Sequence, residues 1–299
     1  MRIGIDLGGT KIAGVVLGES GIERASQRVP TPADDYPAIV AAITRLVQAL
    51  EAEAGADGLP VGVAHPGAIS PASGLIKNAN STCLNGRSLQ GDLQQALGRP
   101  VVLANDANCL AASELFDGAA HGVGSAFAVI LGTGVGGAVA INGQILIGAH
   151  AIAGEWGHNS LPWPSVEELP GPACWCGRHG CIETWLSGVG LAADHRRHGG
   201  AALRGEQIVA AAESGDDACL ETLARYEQRL ARGLAHVINL FDPQVIVLGG
   251  GLSRLQRLYR NVPALWGSWI FSDVVTTQLL PARHGDASGV RGAARLSQR

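Results

Sequence analysis

The stretch "ACWCGRHGCIE", residues 173–183, places three cysteines within eight positions, and His158 stands 16 residues before the first of them. Three thiolates and an imidazole form a Cys₃His set, which suits tetrahedral zinc. A disulfide reading leaves one of Cys174, Cys176 and Cys181 unpaired and needs an oxidising compartment. A redox reading prefers Cys-x-x-Cys spacing, which the stretch lacks. Zinc and a cluster of reduced structural thiols remain the two readings of these residues. Cys83, Cys109 and Cys219 stand singly and read as small buried hydrophobes.

Two carboxylates flank this set. Glu155 precedes His158 by three residues, and Glu183 follows Cys181 by two. Fixing the ligands would fix both acids, which could then accept hydrogen bonds from ligand hydroxyls. The plainer readings are a solvated charge for each and, for Glu183, a favourable charge at a helix start.

Glycine turns form the second group. Gly8, Gly9 and Thr10 make one, and Gly132, Thr133 and Gly134 make another. Backbone N–H groups in such turns can converge on an anion with no Cβ in the way. Asp6 lies just before the first turn, where a carboxylate beside bound phosphate suits Mg²⁺. Residues 132–137 fit the spacing G-x-G-x-x-G of a dinucleotide site, but that fingerprint requires a helix next. Instead "AVAINGQI" follows, which alternates and carries the hairpin dipeptide Asn142-Gly143. The Walker pattern is absent, so an anion here would sit at hairpin turns.

The elements that must position these groups alternate. A β-rich start covers 2–17, and a helical pattern at 37–53 repeats Ile39, Ile43, Leu46, Val47 and Leu50. Short buried strands are expected at 59–67, 100–106 and 244–251, a helix at 107–116, and a β-turn-β unit at 125–145. A loop-rich insert spans 158–181, helices dominate 183–241, and a short helix ends the chain at 288–297. This is an α/β pattern. "LGGTKIAGV" (7–15) returns as "LGTGVGGAV" (131–139), an offset of 124 residues that suggests two related halves. The 299 residues fit one large domain or two ordinary ones. Hydrophobic residues at 46% supply a substantial core, and a net charge of −4 gives no basic stripe for nucleic acid. No run approaches the roughly 20 apolar residues of a membrane helix. The start lacks a secretory signal, so a cytoplasmic location with reduced thiols is expected.

Taken together, "DLGGTK" (6–11), "LGTGVGG" (131–137), "GEWGH" (154–158), "CWCGRHGCIE" (174–183) and "LGGG" (248–251) resemble the bacterial ROK sugar kinases along essentially the whole chain. That resemblance implies the actin-like (sugar kinase/Hsp70-type) ATPase fold, two-lobed and α/β, with duplicated ribonuclease-H-like halves. The expected lobes are 1–117 plus a C-terminal helix 287–299, and 118–286 with the zinc-binding insert 158–181. By the same resemblance His158, Cys174, Cys176 and Cys181 hold a structural zinc. Asp106, whose other reading is a helix N-cap, becomes the general base, and Asn105 binds a ring hydroxyl. Asp6 sits near Mg²⁺; Gly9, Thr10, Lys11, Gly132, Thr133 and Gly134 hold the phosphates of ATP; Gly249 and Gly250 let its adenosine end approach. The sugar lies against Asn80, Asn105, Asp106, Glu155, His158 and Glu183. "KNANSTCLNG" (77–86) and "NDANCLAASE" (105–114) are similar to the fructokinase/mannokinase branch. The expected reaction is therefore phosphorylation of fructose at O6, with mannose weaker. N-acetylglucosamine kinase and glucokinase are the alternatives within the family, and a non-catalytic sugar sensor is the alternative of another class. Repressors of the family carry a DNA-binding segment ahead of "DLGGT"; with five residues before Asp6, no nucleic-acid partner is expected. No membrane partner is expected either, and the expected assembly is a homodimer. Relatives often have glycine at Ala64 and an aromatic at Cys83, which puts the local backbone and the pocket shape at issue.

Overall fold

The computed structural model describes residues 1–297; the last two residues of the expected helix 287–299 lie outside the described residues. The chain divides into two compact units. One comprises Met1–Gly122, Gly143–Ala153 and Arg283–Arg299, the other Val123–Asn142 and Gly154–Ala282.

In the first unit β1 (Arg2–Leu7), β2 (Lys11–Leu17) and β3 (Glu23–Pro30) form an antiparallel meander. Helix α1 (Tyr36–Ala54) follows, capped by the Asp35 carboxylate on Ala38 N at 3.0 Å and closed by Gly55 in the left-handed region. Its apolar residues recur at helical spacing, so Ile39, Ile43, Leu46 and Leu50 share one buried face with Ile3, Ile5 and Val63 in the core. Then come β4 (Val61–His65), the short pair β5 (Ala68–Ile69) and β6 (Ile76–Lys77), α2 (Leu89–Leu97), β7 (Val101–Asn105) and α3 (Asp106–Asp117). The sheet order is β3-β2-β1-β4-β7, with β4 parallel to both β1 and β7.

The second unit opens with the hairpin β8 (Ser125–Leu131) and β9 (Val135–Ile141); β10 (Gln144–Leu146) belongs to the first unit. Helices α4 (Ile182–Leu186), α5 (Gly188–Arg197), α6 (Gly205–Glu213) and α7 (Asp217–Phe241) precede β11 (Val245–Gly249), α8 (Gln256–Trp266) and β12 (Gln278–Pro281). Neighbouring strands run β9-β8-β11-β12, with β11 parallel to β8 and β12. The directions repeat those of β2-β1-β4-β7. Both halves are thus the same hairpin-plus-two-parallel-strands design, and each glycine turn joins the hairpin of its half.

The last helix, α9 (Ser288–Leu296), packs in the first unit against β1, β4 and α3. Glycines permit this approach: a Cβ on Gly62 would lie 1.9 Å from Ala293 O, and one on Gly292 would lie 1.7 Å from Cys109 O. Ala64 is fully buried beside Ala293 and Leu296, within a regular β4, so its methyl leaves the backbone undisturbed.

The expected boundaries shift at three places. The first unit continues to Gly122, beyond the expected 117. Residues 143–153 join it because β10 packs on α3 and Lys77 Nζ donates to His150 O at 3.1 Å. Its last segment starts at Arg283, ahead of 287, because Arg283 N and Ser288 Oγ both donate to the buried Glu114 carboxylate, at 3.0 Å each.

Candidate active site

Asn105 ends β7, and its Oδ1 accepts from Asn108 N at 2.7 Å, so Asn105 is the N-cap of α3. The N-cap role that was the other reading of Asp106 thus belongs to its neighbour. Asp106 takes the first helical position, with Oδ1 accepting from Ala107 N at 2.8 Å. Its side chain is open to solvent yet crowded by protein, and the loss of hydration raises its pKa against the opposing backbone N–H groups. Asn105 keeps its amide N–H₂ for a hydroxyl, since its oxygen is engaged.

Asp6, at the end of β1, is raised to about 6 by burial first and by the Asp106 charge second, with Lys11 opposing. Like charges held close resist joint ionisation. As a hard oxygen donor the Asp6 carboxylate has the chemistry that suits Mg²⁺. Beside it, Gly8 N donates to Lys11 O at 3.1 Å and Thr31 Oγ1 to Gly8 O at 2.7 Å, which fixes the turn. Gly9, Thr10 and Lys11 are exposed at its tip. A Cβ on Gly9 would meet nothing closer than 4.0 Å, so internal packing does not explain that glycine.

Asn80 is exposed in the loop after β6, and its Oδ1 accepts from Ser81 N at 2.8 Å. Elsewhere in that loop the polar run serves the backbone. Asn85 exchanges two hydrogen bonds with Ala79, at 2.9 and 3.0 Å, and Asn78 holds a positive φ of 57°. Cys83 packs against the core of the first unit.

In the second unit the turn Gly132–Gly134 leads directly into β9, which excludes the dinucleotide fingerprint as expected. The turn is braced: Gly132 N donates to Gly134 O at 3.0 Å, and Gly188 N donates to Gly132 O at 2.8 Å. Thr133 is exposed at the tip. Gly250 has φ 82°, and a Cβ there would lie 2.6 Å from Leu131 O, so close packing on β8 explains this glycine. Gly249 pairs with Ile130 at the end of β11.

The four zinc candidates converge. Their ligand atoms all lie within 4.8 Å of one another. Cys174 Sγ is 3.5 Å from His158 Nδ1, and Cys176 Sγ is 3.6 Å from Cys181 Sγ. A tetrahedral zinc with ordinary bond lengths sets S···S near ~3.8 Å and S···N near ~3.5 Å. The separation of the Cys176 and Cys181 sulfurs is far longer than a disulfide, at about 2.05 Å, would allow. Burial and the adjoining thiols push Cys181 up to about 12, a penalty that a divalent cation would remove. The residues therefore fit zinc. Their backbone is held by isolated bridges, Ser160 with Cys181 and Ala173 with His179. His158 and Glu155 are placed by close passage over β9, since a Cβ on Gly157 would lie 2.1 Å from Val135 O.

Glu183, on the first turn of α4, does more than its position in the sequence suggests. Oε2 accepts from Val135 N at 2.9 Å, at the end of the second glycine turn, and Oε1 accepts from Trp175 Nε1 at 2.7 Å. The acid thus ties the cysteine cluster to that turn. Sequence reasoning missed Trp175 altogether; its place between two ligands was the available signal. It also missed the Asn105 cap, although Asn caps helices as well as Asp does.

The topology, the twin hairpin turns and the acids Asp6 and Asp106 define an α/β protein of the actin-like ATPase fold. Solved relatives agree: a ROK hexokinase from Thermus thermophilus superposes with a TM-score of 0.85 at 31% identity, covering 99% of this chain and 97% of that one. A ROK glucokinase from Streptomyces griseus, in complex with glucose and AMPPNP, gives 0.84 at 30% identity, covering 99% and 98%. An N-acetyl-D-glucosamine kinase from Photobacterium profundum is 38% identical over 99% of both chains. One from Vibrio cholerae is 36% identical, again over 99% of both. The chain belongs to the ROK family, whose model matches residues 2–299.

Proposed function

We propose that the protein transfers the γ-phosphoryl group of ATP to the 6-hydroxyl of a hexose, with N-acetyl-D-glucosamine as its preferred acceptor. The observation that carries the chemistry is the start of α3, where Asn105 takes the cap and leaves Asp106 as an accessible carboxylate of raised pKa. A base with its pKa moved toward neutrality works well at neutral pH. Asp106 takes the proton of the 6-hydroxyl as that oxygen attacks the γ-phosphorus, and the bond to the bridging oxygen of ADP breaks. Asn105 offers its amide N–H₂ to a ring hydroxyl. Glu155, Glu183 and Nε2 of His158 supply further acceptors and a polar ring edge to the sugar. Gly9, Thr10 and Lys11, and separately Gly132, Thr133 and Gly134, cradle phosphate oxygens, while Gly249 and Gly250 border the adenosine end. Asp6 would hold Mg²⁺, which when bound neutralises charge on the phosphates. His158, Cys174, Cys176 and Cys181 would hold zinc, which fills four positions with protein ligands and so serves structure.

The choice of sugar departs from the expectation of fructose. That expectation rested on the likeness of residues 77–86 and 105–114 to the fructokinase/mannokinase branch, yet in the first stretch Asn78 holds a left-handed backbone position and Asn85 bonds Ala79 of its own loop. The N-acetyl-D-glucosamine kinases at 35–38% identity across the whole chain support the amino-sugar reading. ADP release with N-acetylglucosamine, glucose, mannose and fructose tests it. A kcat/KM for N-acetylglucosamine about tenfold above the others is expected. Preference for fructose would restore the first expectation, and binding of sugars without ADP release would identify a sensor. Among the described residues no helix is long and apolar enough to cross a membrane; we expect the enzyme to be cytoplasmic and to act as a homodimer.

A further inference from the structure

Trp175 stands between two of the proposed zinc ligands, yet its side chain is 60% exposed. A lone exposed aromatic is ordinary. This one is also held in place on two edges. Its Nε1 donates to Glu183 Oε1 at 2.7 Å, and its ring meets His158 edge-on, centroids 4.8 Å apart at 90°. Its backbone lies in a turn closed by Gly177 N donating to Cys174 O at 3.0 Å and Cys174 N donating to Arg178 O at 2.8 Å. The result is a rigid aromatic surface open to solvent beside two residues proposed to meet the sugar.

We propose that Trp175 is a specificity-determining residue, its indole face packing against the acetamido group of an amino-sugar. The proposal rests on the reading of the site as that of an N-acetyl-D-glucosamine kinase. An acetamido group has a planar amide, an apolar methyl and one N–H, and an aromatic face matches the first two. Glu183 matches the third. A carboxylate has about four acceptor sites, and Val135 N and Trp175 Nε1 occupy two of those on Glu183. An unsubstituted hexose places its 2-hydroxyl where the amide nitrogen would lie, leaves the position of the acetyl group empty and gains nothing from the ring face. Discrimination by one apolar group of this size is about 10–200-fold.

The test compares wild type, Trp175→Phe and Trp175→Ala. Steady-state kinetics and calorimetric sugar binding without nucleotide are measured for N-acetylglucosamine and glucose, with zinc content determined on each sample. Trp175→Ala should weaken N-acetylglucosamine binding and raise its KM about tenfold or more, with glucose changed by less than about threefold. Trp175→Phe, which keeps an aromatic face and loses the N–H donor, should retain most of the selectivity. Equal losses for the two sugars, or unchanged selectivity in Trp175→Ala, would overturn the role of Trp175. So would a loss of selectivity that appears only with loss of zinc, because Trp175 would then act through the metal site. A wild-type protein that neither binds nor phosphorylates N-acetylglucosamine would instead remove the amino-sugar reading itself, a result visible before any variant is made.

Discussion

At the scale of single residues, Asn105 fills the helix cap that either residue type could fill, and leaves the Asp106 carboxylate for the proposed role of base. Asp106→Asn keeps size and local hydrogen bonding but cannot accept a proton. Its kcat should fall roughly 10²-fold or more, with sugar binding retained by calorimetry and thermal stability not reduced. Asn105→Ala should instead lower stability by about 1 kcal/mol through the lost cap, measurable by denaturant titration. Asp6 provides a pH signature. Its carboxyl is raised to about 6 in the folded chain, against 3.8 in its ordinary state. The folded state therefore keeps the proton to higher pH than the unfolded state. The stability this provides is fully present below about 4 and lost as pH rises through 6. Without nucleotide or added divalent ions, Asp6→Asn should equal wild type in stability near pH 4. Near pH 7.5 it should exceed wild type by on the order of 1–3 kcal/mol, while turnover collapses. A variant no more stable at pH 7.5 would show that Asp6 ionises without strain.

At the scale of elements, the residues 158–181 are held by two anchors, one joining their ends and one at their middle. One anchor is the Cys₃His cluster. The other is Glu168, whose carboxylate accepts from Arg229 Nε at 2.8 Å and from Arg232 at 2.7 and 2.8 Å, both on α7. Purified protein should carry about one zinc per chain, and Cys176→Ser should lower zinc content and Tm together. A zinc-free sample with full stability and activity would refute the structural role. The Glu168 anchor should respond to acid. Although burial opposes it, hydrogen bonds from Arg232 and Arg229 bring its pKa down from 4.5 to about 2. Its contribution is present above 4.5 and lost as pH falls toward 2. Glu168→Gln should cost on the order of 2 kcal/mol at pH 7, less than the ~3–5 of a fully buried broken pair. It should also flatten the acid limb of Tm against pH.

Legibility from sequence varied among these elements for physical reasons. α1, β4, β7, α3 and β11 were readable because each carries a continuous apolar run or a helical stripe. β3 was not, since only Ala25 of its eight residues is buried. α2 is short and buries only Leu89 and Leu93, and α8 carries Pro263 inside it. The convergence of His158, Cys174, Cys176 and Cys181 was readable because metal ligation depends on residue type and spacing, whereas Asp106 stood out as a base only through the family resemblance. The tie from Trp175 through Glu183 to Val135 was not, because it joins segments 40 and 48 residues apart through one backbone N–H and one indole.

At the scale of the whole molecule, the first unit is assembled from the beginning and the end of the chain. α9 must therefore dock on β1, β4 and α3 across nearly the full sequence. The contact is made backbone to backbone at Gly4, Gly62 and Gly292. Two effects oppose each other at Gly292. Alanine in a helix is favoured over glycine by about 1 kcal/mol. Its methyl, however, would sit 1.7 Å from Cys109 O, and a carbonyl within α3 cannot swing aside as a flexible side chain would. Overpacking of this kind costs about 1–3 kcal/mol or more, so the clash wins. Gly292→Ala should lower Tm. Native-state hydrogen exchange should show lost protection in β1, β4 and α3, while β8, β9 and β11, whose core contains no residue of α9, keep theirs. Equal loss of protection in both groups of strands would mean that the two units unfold as one, and unchanged protection would mean that α9 tolerates the methyl by shifting.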